Sequence, residues 1–196
     1  MNHNLLTYVI IFFVLVMIIK IYRESETFQL KCILSNVDGK SYCVRERNKL
    51  QLVADLLAEI TQNMKKLVVY LGEKYPTREN VKRLVKNFNP RKISETLPTS
   101  KYTAYSENKG EKLAFCTTTT KTGNKLIDKN TLMFVALHEL SHIATKSIGH
   151  TTEFWQNFKF LIENAKNIGI YKPVDYKKDP KEYCGMTISD SPYYDL

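Results

Sequence analysis

The chain has 196 residues, of which 43% are hydrophobic, and this composition suffices for one compact domain behind an apolar amino-terminal segment. The formal net charge of +9 at pH 7 would favour contact with anionic lipid headgroups or nucleic acid, without choosing between them. Because the lysines are spread along the chain, a solvated basic surface is favoured over a dedicated nucleic-acid groove. From its length and composition, we expect the chain to form one domain rather than several.

The amino terminus contains an apolar run from Leu5 to Ile19, which with the next three residues approaches the length of a membrane-spanning helix, roughly 17 to 25 residues. A cleaved signal peptide would have basic residues before this run and small residues after it, and the sequence has neither. We therefore predict an uncleaved membrane anchor in residues 1–23, with residues 5–22 in the lipid bilayer, followed by a soluble domain in residues 24–196.

The orientation of the domain is predicted from the residues that flank the apolar run. Lys20 and Arg23 lie on its carboxyl side only, so the positive-inside rule places the soluble domain in the cytosol. The chain has four scattered cysteines: Cys32, Cys43, Cys116 and Cys184. They form no Cys-x-x-Cys pair, so in reducing solvent we expect buried thiols rather than a metal cluster. A bridge between Cys32 and Cys43 remains an alternative for an oxidising compartment.

The first half of the domain shows a hairpin followed by helices. Residues 28–34 and 41–44 flank Asp38-Gly39, which predicts a β-hairpin. Apolar residues at three- and four-residue spacing predict an amphipathic helix over 49–71, with Gly72 as its stop. Thr77 is expected to cap a shorter helix that ends before Asn89-Pro90, and residues 91–100 are expected to form a loop.

The second half of the domain contains two strands and two further helices. Residues 102–106 and 112–119 predict paired strands around Asn108-Lys109-Gly110. A mostly apolar, buried helix is predicted over 131–145, and a second helix ends before Gly169. The tail over 171–196 is expected to be mostly irregular. This order predicts an α+β fold, a small antiparallel sheet packed on helices behind a single transmembrane helix.

The residues with the clearest chemistry lie on the predicted helix over 131–145. His138 and His142 are one helical turn apart, so both imidazoles can bind the same metal ion. Neutral imidazole is a good zinc ligand, and a catalytic zinc usually has three protein ligands and one open position. In the His-Glu-x-x-His arrangement, Glu139 stands beside the metal without binding it and can act as the general base towards the water that zinc activates.

Coincidence is the alternative to a zinc site, because a five-residue pattern is short. Three of the four histidines, however, fall between positions 138 and 150, and His138, Glu139 and His142 interrupt an otherwise apolar helix. Burying these polar groups without partners would be costly. The sequence therefore favours one zinc ion per chain.

The third zinc ligand is predicted to be His150, because Gly149 can turn the chain back towards the metal. Glu153 is its rival, since carboxylate also completes zinc sites. Otherwise Glu153 would cap the following helix or orient a ligand. For stabilising an oxyanion, Tyr171, Tyr176 and Tyr183 are chemically suitable.

These motifs resemble those of a known enzyme family. The run from His138 to His142, the short spacer and the run from Gly149 to Trp155 are similar to the site of WLM and SprT-like (Spartan-type) zinc metallopeptidases. The chain also resembles the versions of this family encoded by large DNA viruses, which would suit a virion or viral-factory membrane. The resemblance implies a zincin-like metallopeptidase fold and a polypeptide substrate.

The resemblance also implies an edge strand that pairs with extended substrate, ahead of the zinc helix. The residues in that place are Leu113, Ala114, Phe115, Cys116 and Thr117. Members of the family cut proteins, some of them crosslinked to DNA, and the predicted anchor at Leu5 to Ile19 departs from the family pattern. Two other classes of function stay open: a catalytically silent, zinc-bound membrane or virion protein, and a basic nucleic-acid-associated module. The presence of Glu139 favours the peptidase, because a scaffold could lose the base and keep its metal.

Overall fold

The computed structural model describes residues 3–25 and 29–195. Helix α1 (His3–Glu24) contains a segment, Leu5–Arg23, that is long and apolar enough to cross a membrane and is not buried inside the protein. Length and composition fit both an anchor and a signal sequence. Phe28, at the start of the predicted first strand, lies outside the described residues.

The predicted hairpin is confirmed. Strands β1 (Leu30–Leu34) and β2 (Ser41–Arg45) pair antiparallel, and Gly39 adopts a positive φ of 65° in the turn between them. Cys32 and Cys43 are opposite each other in this pairing and form a disulfide.

Two helices follow the hairpin, and both differ at their ends from the prediction. Helix α2 (Leu50–Lys74) passes through Gly72 instead of stopping there. A Cβ atom on Gly72 would lie 3.2 Å from Val85 Cγ2, so this glycine lets helix α3 (Glu79–Asn87) pack closely. Thr77 is not the cap of α3. The residue at the cap position is Arg78, whose side chain makes no capping hydrogen bond.

The predicted loop over 91–100 contains a strand. Strand β3 (Ile93–Glu95) is buried and runs parallel to β2 and to β5 (Lys112–Phe115). Three residues are too few to show an alternating pattern, which explains the error. Because these pairings are parallel, the sheet is mixed rather than purely antiparallel.

Strand β4 (Ala104–Glu107) completes a five-stranded sheet in the order β1-β2-β3-β5-β4 and pairs antiparallel with β5, as predicted. The sheet order corrects the expectation for residues 113–117. The strand over Lys112–Phe115 lies inside the sheet, hydrogen-bonded to β3 on one side and β4 on the other, so a substrate strand cannot add to it. The strand at that edge is β4.

The two predicted carboxyl-terminal helices are confirmed as α4 (Lys129–Ala144) and α5 (Thr152–Asn167). The side chain of Asp128 caps α4 by accepting a hydrogen bond from the Thr131 amide, and Thr151 caps α5 in the same way from the Phe154 amide. Helix α4 is buried along most of its length, and α2, α3 and α5 all pack against it. The result is an α+β fold with a small sheet packed on helices.

The tail is less irregular than predicted. It contains a hairpin of β6 (Lys181–Tyr183) and β7 (Met186–Ile188), followed by the short helix α6 (Pro192–Asp195). A disulfide between Cys116 and Cys184 joins this hairpin to the residue that follows β5.

All four cysteines are therefore paired, and the expectation of buried thiols is wrong. The two bridges close intervals of 11 and 68 residues, and the longer interval is why the second pair shows no local signature. Disulfides form and persist mainly under oxidising conditions, which is at odds with the expected reducing solvent.

Candidate metal centre

Helix α4 carries the first two histidines of the candidate centre. Because His138 and His142 are one turn apart on the same helix, their side chains project together, and their Nε2 atoms are 3.2 Å apart. Both side chains are partly buried, while Glu139 between them is only 5% exposed. The predicted helical placement of these residues is confirmed.

The loop after α4 returns the chain to these histidines. It starts at Thr145, turns at Gly149 with a positive φ of 84°, and ends at the Thr151 cap of α5. This path places His150 Nε2 at 3.1 Å from His138 Nε2. Ligand atoms of His138, His142 and His150 all lie within 4.8 Å of one another.

The three imidazoles suit zinc in chemistry and in spacing. Tetrahedral nitrogen ligands at about 2.0–2.1 Å from zinc lie about 3.3–3.4 Å apart, close to the two measured separations. Burial, with smaller contributions from the neighbouring His142 and His150, lowers the pKa of His138 to about 3. Burial likewise lowers the pKa of His142 to about 4, with His150 and Lys109 contributing. Both rings are therefore neutral near pH 7, which is the form that binds metal.

Glu139 differs from an ordinary surface carboxylate. Burial raises its pKa to about 8, because the charged form loses its hydration. A group that titrates near neutral pH can accept a proton in one step and return it in another.

A groove of about 990 Å³ opens in front of these residues. Its walls are the loop over 97–102, the edge strand β4 and the turn over 148–150, and His138, Glu139 and His142 lie along it. The candidate centre therefore lies next to the sheet edge formed by β4, where an extended chain could lie beside this strand.

Glu153, the rival ligand, is engaged by the loop that carries His150. Its carboxylate accepts hydrogen bonds from the amides of Lys146 (3.0 Å) and Ser147 (3.2 Å) and from the Ser147 hydroxyl (3.0 Å), and it pairs with Arg83 at 3.1 Å. These contacts lower the pKa of Glu153, the Lys146 amide contributing most. This carboxylate fixes the 146–150 loop, which corresponds to the orienting role considered in the sequence.

Lys109 is a site residue that the sequence analysis missed. Its Nζ donates to the carbonyl oxygens of His142 (3.2 Å), Thr145 (3.0 Å) and Ser147 (2.8 Å). These carbonyls belong to the end of α4 and the loop after it, where a positive charge is favourable. The Asn108-Lys109-Gly110 turn had signalled only a hairpin, since the contact spans 33 residues of sequence.

The three tyrosines considered for the oxyanion occupy different places. Tyr171 and Tyr176 pack against Phe134 in the core. Tyr183 borders a cavity that also contains Glu139, and its hydroxyl donates to the Thr103 carbonyl oxygen at 3.1 Å. Its hydroxyl therefore holds the tail hairpin against the chain that leads into β4.

The fold and site thus define an α+β domain with a three-histidine candidate metal centre beside a groove. No family model matches the chain. The uncharacterized protein R325 of Acanthamoeba polyphaga mimivirus is 35% identical over 171 residues, which cover 85% of each chain. The chain therefore belongs to the same protein family as this mimivirus protein.

Shorter similarities involve two further viral proteins. The uncharacterized protein 136R of invertebrate iridescent virus 6 is 40% identical over 57 residues, 29% of this chain and 31% of that protein. The uncharacterized protein 042R of invertebrate iridescent virus 3 is 46% identical over 59 residues, 30% and 36% of the two chains. These relatives are consistent with the resemblance to viral proteins that the sequence indicated.

A structural comparison gives the crystal structure of Wss1 from Saccharomyces cerevisiae, with a TM-score of 0.47 and 18% sequence identity, covering 64% of this chain and 86% of that one. A likeness of this degree carries no argument about function.

Proposed function

We propose that the protein is a membrane-anchored, zinc-dependent metallopeptidase of the WLM and SprT-like type. The observation that carries this proposal is the convergence of His138, His142 and His150 next to a buried carboxylate, Glu139, beside an open groove. A structural metal site would have no need of an accessible groove with a buried carboxylate on its lining.

The roles of the residues follow from their chemistry. His138, His142 and His150 would hold zinc, which when bound lowers the pKa of water towards 7 and polarises a carbonyl group. Glu139 would accept the proton of the attacking water and then donate it to the leaving amine. Lys109 and Glu153 would keep the loop of His150 in place through the hydrogen bonds described above.

The substrate is proposed to be a polypeptide in extended conformation. The edge strand β4 lines the groove, and an extended peptide can add to such an edge through main-chain hydrogen bonds. This strand takes the role that the sequence analysis gave to residues 113–117. Main-chain pairing requires a locally unfolded segment, so unfolded proteins are the expected substrates.

The membrane location is proposed from helix α1. Its apolar segment would hold the domain at a membrane, which for a viral protein would be that of a virion or viral factory. The positive-inside rule predicts a cytosolic domain. The two disulfides oppose this orientation, because disulfides are rare in the cytosol. Protease treatment of intact membranes decides between the cytosolic orientation and the opposite one. A domain that the membrane protects from digestion would overturn the prediction of a cytosolic domain.

Removal and return of the metal test the peptidase proposal. The full-length chain in detergent should cleave an unfolded protein such as reduced casein, lose this activity with a strong chelator, and recover it with one equivalent of Zn²⁺. Cleavage that survives complete removal of zinc would contradict the proposal.

A further inference from the structure

A second cavity, of about 310 Å³, adjoins the groove. The two share Ala104, His138 and Glu139, so they meet at the proposed general base. Its size is at the lower end of the range for small-ligand pockets, about 300–1,000 Å³, and it can hold one large side chain. The function proposed above does not use this cavity.

The walls of this cavity are mostly apolar and come from three elements. The apolar residues that contribute from α4, α5 and the tail hairpin are Phe134, Val135, Trp155, Phe158, Met186 and Ile188. Besides Glu139, the lining includes the acidic Asp190, which has Lys177 Nζ at 3.8 Å to offset its charge. The cavity therefore favours an uncharged, apolar occupant.

The wall formed by the tail hairpin is fixed to the sheet by several contacts. Cys184 is bonded to Cys116, and its amide donates to the Thr118 carbonyl oxygen at 2.9 Å. The Gly185 amide donates to the Thr119 carbonyl oxygen at 2.8 Å. Because this wall is tied down, the cavity exists before any ligand binds, and filling it costs little conformational entropy.

We propose that this cavity is a subsite for an apolar side chain of the substrate, at the residue adjacent to the scissile bond. The inference rests on the proposed peptidase function, since a chain lying along β4 would pass Ala104 and Glu139, where the cavity opens from the groove. Burial of a leucine or phenylalanine side chain should favour substrates carrying it by about 10- to 100-fold over those with aspartate at that position. The substrate class is thus unfolded polypeptide with an apolar residue at the cleavage point.

Binding can be measured without catalysis, because Trp155 is the single tryptophan of the chain and lines the cavity. Full-length, zinc-loaded Glu139→Gln protein in detergent is titrated with peptides that differ at one position, leucine against aspartate. We expect the leucine peptide, and not the aspartate peptide, to change the tryptophan emission in a saturable way. An identical response to both peptides, or none to either, would overturn the subsite.

Variants connect this response to the hairpin wall. Met186→Asp introduces a charge at a side chain that is 49% exposed and should fold normally, and it should weaken leucine-peptide binding at least tenfold. Ile188→Asp is a second variant with the same expected direction. The matched control is Val69→Asp, at an exposed position on α2 that is not part of the cavity lining, which should leave binding unchanged.

Cleavage-site sequencing on unfolded proteins separates this inference from the peptidase proposal. If the wild type cleaves next to apolar residues, and Met186→Asp weakens this preference by raising the KM for such substrates, both the subsite and the peptidase proposal are supported. Cleavage without side-chain preference overturns the subsite and leaves the peptidase. A tryptophan response to leucine peptide in a protein that cleaves nothing supports the subsite as a binding site and overturns the peptidase.

Discussion

Lys109→Met tests whether the loop that carries His150 is held by a partly buried charge. The change keeps the aliphatic stem and removes three hydrogen bonds to the carbonyl oxygens of His142, Thr145 and Ser147. A hydrogen bond to a charged group contributes about 1.5–3 kcal/mol. The amine also loses hydration on folding, which lowers the pKa of Lys109 and offsets part of the gain. We therefore expect a net loss of about 2 kcal/mol, less than the sum of three bonds.

Two measurements check this expectation. A loss of about 2 kcal/mol should lower the thermal midpoint of the zinc-loaded domain by roughly 4–8 °C. Competition with a chromogenic chelator should show zinc affinity reduced by roughly tenfold, as for residues that orient metal ligands. Lys101→Met is the matched control, since Lys101 lines the same groove and is exposed. If Lys109→Met and the control give the same midpoint and zinc affinity, the role assigned to Lys109 is wrong.

Three further predictions concern the ligand set, the disulfides and the anchor. His150→Ala should lose most bound zinc while Glu153→Gln retains it; the reverse result would make the carboxylate the third ligand. Protein denatured without reductant should not react with maleimide, and free thiols in it would refute the pairing. The free energy of unfolding of the Cys116→Ala/Cys184→Ala variant should be lower by about 4 kcal/mol, because the bridge closes an interval of 68 residues. Intact mass measurement of detergent-extracted protein should give the full 22.8 kDa chain, whereas a chain beginning near residue 24 would show that α1 is a cleaved signal.

Local patterns predicted the elements whose cause is local. The Asp38-Gly39 turn, the apolar stripe of α2 and the buried helix α4 all depend on residues that are close to one another in the sequence. Strand β3 was missed because three residues show no period, and the sheet order was missed because parallel pairing joins segments far apart in sequence. The helix stop at Gly72 was misjudged because that glycine serves a contact with Val85 rather than a turn.

The same distinction holds for the candidate site. His138 and His142 were predicted to face one point from their four-residue spacing, and His150 from the glycine before it. Lys109, whose partners lie 33 to 38 residues away, left no signal of its own. The substrate strand was assigned to residues 113–117 because nothing in the sequence distinguishes an edge strand from its inner neighbour.

The central claim, that the three histidines hold zinc for catalysis by Glu139, is tested most directly by Glu139→Gln. Wild type and the variant are purified as full-length chains, with Glu73→Gln, an exposed change on α2, as control. Zinc per chain and cleavage of an unfolded protein are measured on the same samples. All three should hold one zinc per chain, and cleavage by Glu139→Gln alone should fall by about a hundredfold or more. A wild type without zinc, or one that holds zinc and cleaves no better than Glu139→Gln, would contradict the account.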